Sequence, residues 1–218
     1  MDRGFWLARW KDHQIGFHQQ EVNAALRAHW QGFGVPAGAR VFVPLCGKSR
    51  DMLWLRAQGH PVVGVELSRI AVQEFFAENG LAPTVSTDAR FERWEAEGVT
   101  LLCGDLFDLT PSDLEGVRGV YDRASLIALP PAMRRRYADK MREALPAQAA
   151  TLLITLSDPT GKLEGPPFSV TPDEVHALYG PTNVALLATG EGPALRDRPG
   201  STLTEHVFRV ISKTQRSR

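Results

Sequence analysis

The spacing of apolar residues changes along this chain, and these changes predict its strands and helices. From Arg40 onward, short apolar runs are separated by longer stretches in which apolar residues recur every three or four positions. Alternation of strands and helices is typical of βαβ units built on a parallel sheet. The pattern predicts seven strands in one sheet, near residues 41–44, 62–67, 99–103, 120–124, 151–156, 184–188 and 206–211.

The amphipathic stretches carry signals for helix boundaries. A capping Thr171, followed by Pro172 and Glu174, predicts a helix that ends at Gly180. After two prolines at 130 and 131, a second helix is predicted with one apolar face: Met133, Tyr137, Met141 and Leu145. The basic residues of that stretch are expected to form mostly a solvated face: Arg134, Arg135, Arg136 and Lys140.

A further helix is predicted ahead of the alternating core. Val22, Leu26 and Trp30 are spaced at i, i+4 and i+8, which places them on one helical face. We expect residues 1–35 to form a helical extension that covers a cofactor on the sheet. With 218 residues, 43% of them hydrophobic, the chain is long enough for one substantial core, so a single domain over residues 1–218 is expected.

Two segments point to a nucleotide-type cofactor. Residues 41–51 read VFVPLCGKSRD, an apolar run that enters a glycine turn and leaves as a helix. Residues 62–68 read VVGVELS, a second apolar run that ends in one carboxylate. A carboxylate at that position can accept hydrogen bonds from the two vicinal hydroxyls of a ribose. Glu66 is therefore the predicted ribose-binding residue.

The turn itself indicates which cofactor is bound. Only Gly47 is present where dinucleotide enzymes have three glycines that seat a pyrophosphate. A phosphate-free ligand is favoured, which means S-adenosylmethionine rather than NAD. The Gly47-Lys48-Ser49 sequence imitates a P-loop, but Phe42 occupies the position where a P-loop needs its first glycine.

Composition narrows the classes of partner. Lys plus Arg and Asp plus Glu number 25 each and are interspersed, which argues against nucleic acid and for a small-molecule partner. Cys46 and Cys103 do not form a C-x-x-C pair, so reduced thiols, no metal site and a cytoplasmic location are expected. The first ten residues lack the apolar core of a signal peptide or a membrane span. A monomer is expected because no long apolar surface stripe is evident.

Several short segments, in this order, resemble the thiopurine S-methyltransferase family from residue 5 to about residue 212. The matching segments are FW at 5–6 with W at 10, GFHQ at 16–19, VPLCGKS at 43–49, DM at 51–52, GVE at 64–66, GD at 104–105, FD at 107–108, YDRA at 121–124, YAD at 137–139 and GPPF at 165–168. The resemblance implies a class I methyltransferase fold: an α/β, Rossmann-like, mostly parallel seven-stranded sheet with helices on both faces and one antiparallel strand. It also implies S-adenosylmethionine as the methyl donor.

The resemblance implies roles on the donor side. Trp10 would pack on the donor, the Leu45 backbone would lie beside its methionine portion, and Glu66 would take the ribose hydroxyls. Asp105 and Leu106 would hold the adenine. Structural alternatives remain open: Trp10 as an ordinary half-buried aromatic, Glu66 as a cap for the next helix, and Asp105 as a turn residue.

On the acceptor side, the resemblance implies that Arg123 lies where cofactor and substrate meet and that Phe17 lines the substrate pocket. Arg196 and Arg198, in the polar loop before the last strand, would face the substrate. Phe17 could instead be a core residue, Arg123 could pair with Asp122 or another acid, and the loop arginines could be solvated. His18 is expected to be structural.

The implied reaction is methyl transfer to the sulfur of an aromatic or heterocyclic thiol by in-line displacement. Orientation should dominate catalysis, so no residue is predicted to be an obligatory catalyst. Acceptors such as a chalcogen oxyanion, a halide or thiocyanate remain open. So do an NAD-dependent oxidoreductase and a protein that binds an adenosyl ligand without turnover.

Overall fold

The computed structural model describes residues 3–147, 149–194 and 202–211. Nine strands within these ranges form one sheet: β1 (Arg40–Val43), β2 (Val62–Glu66), β3 (Thr84–Thr87), β4 (Glu92–Ala96), β5 (Val99–Cys103), β6 (Val117–Arg123), β7 (Ala150–Ser157), β8 (Val184–Glu191) and β9 (Thr204–Ile211). The same ranges contain these α-helices: α1 (Arg3–Lys11), α2 (Ala24–His29), α3 (Asp51–Ala57), α4 (Arg69–Glu78), α5 (Ser125–Ala128), α6 (Pro131–Ala144) and α7 (Pro172–Tyr179). They also contain short 3₁₀ helices at Leu106–Asp108, Pro111–Leu114 and Pro181–Asn183.

The order of strands places the functional edge of the sheet. The order is β3-β4-β5-β2-β1-β6-β7-β9-β8. β5, β2, β1, β6 and β7 are parallel, and β9 lies antiparallel between β7 and β8. The chain leaves β1 towards β2 on one side and later returns to β6 on the other, and ligands of open α/β sheets bind beside such a switch point. The ends of β1, β2, β5 and β6 therefore form what we call the carboxyl edge.

The predicted count of seven strands was wrong, although all seven predicted strands are present. β3 and β4 form an additional hairpin that pairs antiparallel with β5. All residues of β3 are exposed, and Trp94 is the buried residue of β4. A strand without a buried face leaves no alternation in the sequence. The hairpin pairs with backbone groups of β5 that would otherwise form an open edge.

Apolar side chains leave the sheet on both faces and form two core clusters. In β1, Phe42 belongs to the cluster with α6 and α7, whereas Val41 and Val43 belong to the cluster with α2, α3 and α4. Alternation along one strand is what a pleated sheet requires. Both faces are therefore covered by helices, as predicted.

The predicted helix boundaries are confirmed where capping signals exist. The Thr171 hydroxyl accepts a hydrogen bond from the Glu174 amide (3.3 Å), and Gly180 ends α7 with a φ of 85°. The predicted apolar face of α6 includes the buried Tyr137 and Met141. The N-terminal pattern produces α2, which buries Leu26 but spans only Ala24–His29.

The expectation of a solvated basic face on α6 was wrong for Arg134, which is 1% exposed. Its guanidinium donates to the Leu129 and Ser169 carbonyls (3.0 and 3.1 Å) and to the Glu174 carboxylate (2.6 and 2.7 Å). Arg135 remains exposed but donates to carbonyls at the end of α7. These carbonyls have no partner within their helix, so arginines on α6 satisfy them and join the two helices.

In the three described ranges, no helix is long and apolar enough to cross a membrane. Both cysteines are free thiols, with Cys46 buried and Cys103 partly buried.

Asp122, in the central strand β6, is a buried ionisable group. Tyr137 donates its hydroxyl hydrogen to one carboxylate oxygen (2.7 Å). Burial raises the pKa of Asp122 to about 6, although the hydrogen bond from the Tyr137 hydroxyl acts to lower it. The folded state thus binds this proton more tightly than the unfolded chain. Its contribution to stability is present at low pH and is lost as the pH rises towards about 6.

We expect Asp122→Asn to be more stable than the wild type at pH 7.5, by about 1–3 kcal/mol, and to lose most of that advantage at pH 4. The asparagine oxygen can still accept from Tyr137, while the cost of a buried charge disappears. Urea unfolding at both pH values measures the difference. Asp139→Asn, in an exposed ion pair with Arg142, is the control. An advantage equal at both pH values would contradict the role of Asp122.

Candidate active site

The turn after β1 has an unusual backbone. Leu45 has a φ of 44° and Gly47 a φ of 53°. Leu45, which is not a glycine, therefore adopts the left-handed backbone region two residues before Gly47. Such a conformation costs roughly 1–3 kcal/mol in a residue other than glycine and tends to occur at functional sites. The Cys46 amide donates to the Val65 carbonyl (3.0 Å), which continues the pairing of β1 with β2.

Glu66 ends β2 and links two loops. One carboxylate oxygen accepts from the Gly47 amide (2.9 Å), and the other accepts from the Ser68 amide (2.7 Å). Burial raises the pKa of Glu66, while these backbone hydrogen bonds act to lower it. Capping of α4 belongs to Ser68, whose hydroxyl accepts from the Ala71 amide. Each Glu66 oxygen retains a second lone pair, so the carboxylate can also accept hydrogen bonds from a diol.

Lys48 does not face a ligand as a P-loop lysine would. Its side chain is buried, and its ammonium donates to Glu74 (2.8 Å) and Glu78 (2.6 Å) of α4. Burial lowers the pKa of Lys48, but the hydrogen bonds and charges of these two glutamates outweigh it and raise the pKa. Lys48 is therefore not available to bind a phosphate as the lysine of a P-loop does.

At the end of β5, the backbone is tied to the Glu66 loop and then begins a 3₁₀ helix. The Gly104 amide donates to the Glu66 carbonyl (2.9 Å). Asp105 accepts a hydrogen bond from the Phe107 amide (2.9 Å). It therefore stabilises this turn, as the structural alternative for this residue described. Its second oxygen lies 3.7 Å from the Arg3 guanidinium. Leu106, the next residue, is buried.

The N-terminal segment lies over this part of the carboxyl edge. Trp10 is buried, and a Cβ atom on Gly47 would lie 3.2 Å from its ring, so the indole rests on the turn. Phe17 makes edge contacts with Trp6 and Trp10, at centroid distances of 5.8 and 5.6 Å. Phe17 is 40% exposed, which argues against its alternative role as a core residue.

Arg123 ends β6 and pairs with an acid far away in the sequence. Its Nε atom donates to an oxygen of Asp51 (3.2 Å), rather than to the adjacent Asp122. Asp51, the first residue of α3, also accepts from the Tyr121 hydroxyl and from the Asn23 amide (both 2.9 Å). The carboxyl edge thus brings together turn, carboxylate, aromatic and guanidinium groups from five separate segments.

Nearly the whole chain matches one family. The family model of thiopurine S-methyltransferases matches residues 1–211. The thiopurine S-methyltransferase of Nitrosospira multiformis is 48% identical over 219 residues, which covers 98% of this chain and 100% of the relative. This chain belongs to the thiopurine S-methyltransferase family. The thiopurine S-methyltransferase of Pseudomonas entomophila is 47% identical over 214 residues, 96% of this chain and 99% of that relative. The resemblance inferred from the sequence segments is confirmed.

Solved structures confirm the class I methyltransferase fold of this family member. A Burkholderia thailandensis 1,6-didemethyltoxoflavin-N1-methyltransferase, with S-adenosylhomocysteine bound, superposes with a TM-score of 0.62 at 16% identity, covering 96% of this chain and 87% of that one. A methyltransferase of Anabaena variabilis, described as dependent on S-adenosylmethionine, also gives 0.62 at 16% identity, with coverage of 96% and 94%.

Two acids near Arg123 of this thiopurine S-methyltransferase family member, Asp51 and Glu205, were not predicted as site residues from the sequence. Asp51 occupies the first turn of α3, where acids are common because of the helix dipole, so its position carries no distinctive signal. Glu205 lies opposite Leu156, at the end of β7. Burial raises the pKa of Glu205, while the charge of Arg123 acts to lower it.

The remaining residues named from the sequence of this family member are Arg196, Arg198 and His18. Arg196 and Arg198 lie outside the described residues. His18 is half-buried, and its pKa is lowered by burial and then by the charge of Lys48.

Proposed function

We propose that this chain transfers the methyl group of S-adenosylmethionine to the sulfur of an aromatic or heterocyclic thiol. Family membership makes it a methyltransferase that depends on S-adenosylmethionine. The observation that carries the proposal is the Glu66 carboxylate, buried at the end of β2 and held by the Gly47 and Ser68 amides. That arrangement suits a ribose, and the single glycine and the turned-away Lys48 suit a ligand without phosphate.

On the donor side, Glu66 would accept the ribose hydroxyls through its remaining lone pairs. The Leu45 backbone would lie beside the methionine portion, and Asp105 and Leu106 would hold the adenine. Trp10 supports this assignment because its ring already rests on the Gly47 turn. When bound, the donor supplies a methyl group activated by its positive sulfur, and these residues hold it in place.

On the acceptor side, Arg123 and Phe17 would bind the thiol, with Arg196 and Arg198 as further contacts. An aromatic ring can pack against Phe17, which is exposed beside Trp6 and Trp10. The Arg123 guanidinium would stabilise the thiolate by opposite charge. Oriented reactants reach effective molarities of about 10⁵–10⁸ M, whereas a general base adds about 10²–10⁴-fold. Positioning is therefore the main task of these side chains.

We also propose a domain arrangement, a cellular location and an oligomeric state for the enzyme. Residues 1–35 would cover the donor within one domain, and the enzyme would act as a cytoplasmic monomer on small molecules, without nucleic acid or membrane partners. The free thiols Cys46 and Cys103 support a reducing compartment. The large exposed apolar residues of the described ranges are few and lie on different segments, which supports a monomer: Leu7 on α1, Phe17, Val85 on β3, and the adjacent Leu186 and Leu187 on β8.

Calorimetric titration with S-adenosylmethionine, S-adenosylhomocysteine and NADH tests the donor. Micromolar binding of the adenosyl pair alone is expected, and binding of NADH alone would overturn the proposal. Methyl transfer to 6-mercaptopurine and thiophenol then tests the acceptor class. Transfer to selenite, iodide or thiocyanate, with none to either thiol, would replace the thiol by an inorganic acceptor. Donor binding without turnover on any of these would point to a binding protein.

Glu66→Ala should weaken S-adenosylhomocysteine binding by roughly 10- to 150-fold, because hydrogen bonds to a charged acceptor contribute about 1.5–3 kcal/mol. Calorimetry measures the affinity. Ser68→Ala is the matched control: it removes the cap of α4 but keeps the carboxylate and the Ser68 backbone amide. The control should lose about 1 kcal/mol of stability and keep its affinity within about twofold. Equal losses of affinity in both variants would contradict the ribose assignment.

Phe17→Ala should raise the KM for thiophenol about 5- to 20-fold and leave donor affinity nearly unchanged, since one buried aromatic contact contributes roughly 1–2 kcal/mol. Steady-state kinetics at saturating donor give the KM. Leu7→Ala removes a similarly exposed apolar side chain from α1 and should change neither constant. A weakened donor affinity with an unchanged KM would assign Phe17 to the donor side instead.

A further inference from the structure

Asp51 holds three groups with one buried carboxylate. The residue is 1% exposed. One oxygen accepts from the Tyr121 hydroxyl (2.9 Å) and from Arg123 Nε (3.2 Å), and the other accepts from the Asn23 amide (2.9 Å). The partners lie 28, 70 and 72 residues away along the chain. A buried carboxylate with a donor on each side can hold its neighbours in one geometry.

The two oxygens of Asp51 contact two different segments, the residue that ends β6 and the residue before α2. Arg123 ends β6. Asn23 ends the loop that carries Phe17, and its side chain caps α2 by accepting from the Ala25 and Leu26 amides (3.0 and 3.2 Å). The Asp51 side chain therefore links the end of this loop directly to the end of β6.

We propose that Asp51 is a positioning residue of the methyl-transfer reaction, which fixes Arg123 and the Phe17 loop relative to each other for binding of the acceptor thiol. The inference rests on the proposed function, because that function assigns acceptor roles to Arg123 and Phe17. Of the three guanidinium nitrogens of Arg123, Nε is the one that has a hydrogen-bond partner among the described residues. Anchoring by Nε leaves the two terminal nitrogens as donors for a thiolate.

A competing account is that Asp51 only stabilises the fold, since an acid in the first turn of a helix interacts favourably with the helix dipole. The two accounts differ in which constants change. Loss of stability alone would lower the amount of folded enzyme. Loss of positioning would lower kcat/KM for the acceptor in enzyme that still binds its donor normally.

The test compares Asp51→Asn with the wild type for 6-mercaptopurine and thiophenol. An asparagine amide presents an acceptor on one side and a donor on the other, so it opposes either the Asn23 amide or the Arg123 and Tyr121 donors. We expect kcat/KM for both thiols to fall at least about tenfold, with S-adenosylhomocysteine affinity within about twofold of the wild type. Circular dichroism and donor binding establish that the variant is folded.

Asp113→Asn is the matched control, since it also neutralises a buried aspartate that pairs with an arginine, Arg90 (2.7 and 3.1 Å). Asp113 lies near the amino end of β1, where Arg40 donates to its carbonyl (3.4 Å), away from the carboxyl edge. It should lose stability and keep its acceptor kinetics. If Asp51→Asn behaves like this control, or loses donor and acceptor binding alike, the inference is overturned.

A double-mutant cycle with Arg123→Met shows whether Asp51 acts through Arg123. In that background, Asp51→Asn should lower kcat/KM by less than about threefold, because one of the two groups whose relative position it fixes is already gone. Additive losses would overturn the inference. Arg123→Lys keeps the wild-type carboxylate, so it serves if Asp51→Asn does not fold. It should lose at least about tenfold, and wild-type kinetics would refute the need for an anchored guanidinium.

The wild-type assay separates this inference from the proposed function. If the wild type methylates neither thiol, the proposed function fails, together with the inference that rests on it. If the wild type is active and Asp51→Asn keeps its acceptor kinetics, only the inference fails.

Discussion

A buried carboxylate holds the carboxyl edge of this sheet together. Glu66 accepts hydrogen bonds from the amides of Gly47 and Ser68, which follow two neighbouring strands and lie beyond the reach of the ladder between them. Burying a carboxylate is costly unless donors surround it, and here the backbone supplies them. The same contacts stabilise the turn in which Leu45 adopts a left-handed backbone, and that turn supports the Trp10 ring. The position of the candidate active site follows from this one arrangement.

Charged side chains are used mainly in pairs that join separate elements. Lys48 links the β1 turn to α4, and Arg134 links α6 to Glu174 on α7. Pairing of this kind explains why the basic stretch on α6 is mostly structural: its side chains satisfy carbonyls at the end of a neighbouring helix.

Much of the fold could be predicted from periodicity, because a residue that faces the core must recur with the period of its element. The helix after Thr171 was predicted with its correct ends, since capping depends on residues three positions apart. The hairpin of β3 and β4 was not predicted, because β3 buries nothing. Burial of Arg134 was also missed, because its acceptors belong to other segments of the chain.

The family could be recognised from the sequence because its matching segments follow one another along the chain. The glycine turn and the acid that ends β2 could also be predicted, since each is a local feature within a short segment. Which groups meet at the site became clear from the three-dimensional structure. Asp51 reaches Arg123 across 72 residues, and Trp10 rests on Gly47 because α1 lies over the sheet. A side chain's partner depends on how distant segments pack. A linear pattern records which face of each element is buried, but not which residue of another element lies opposite.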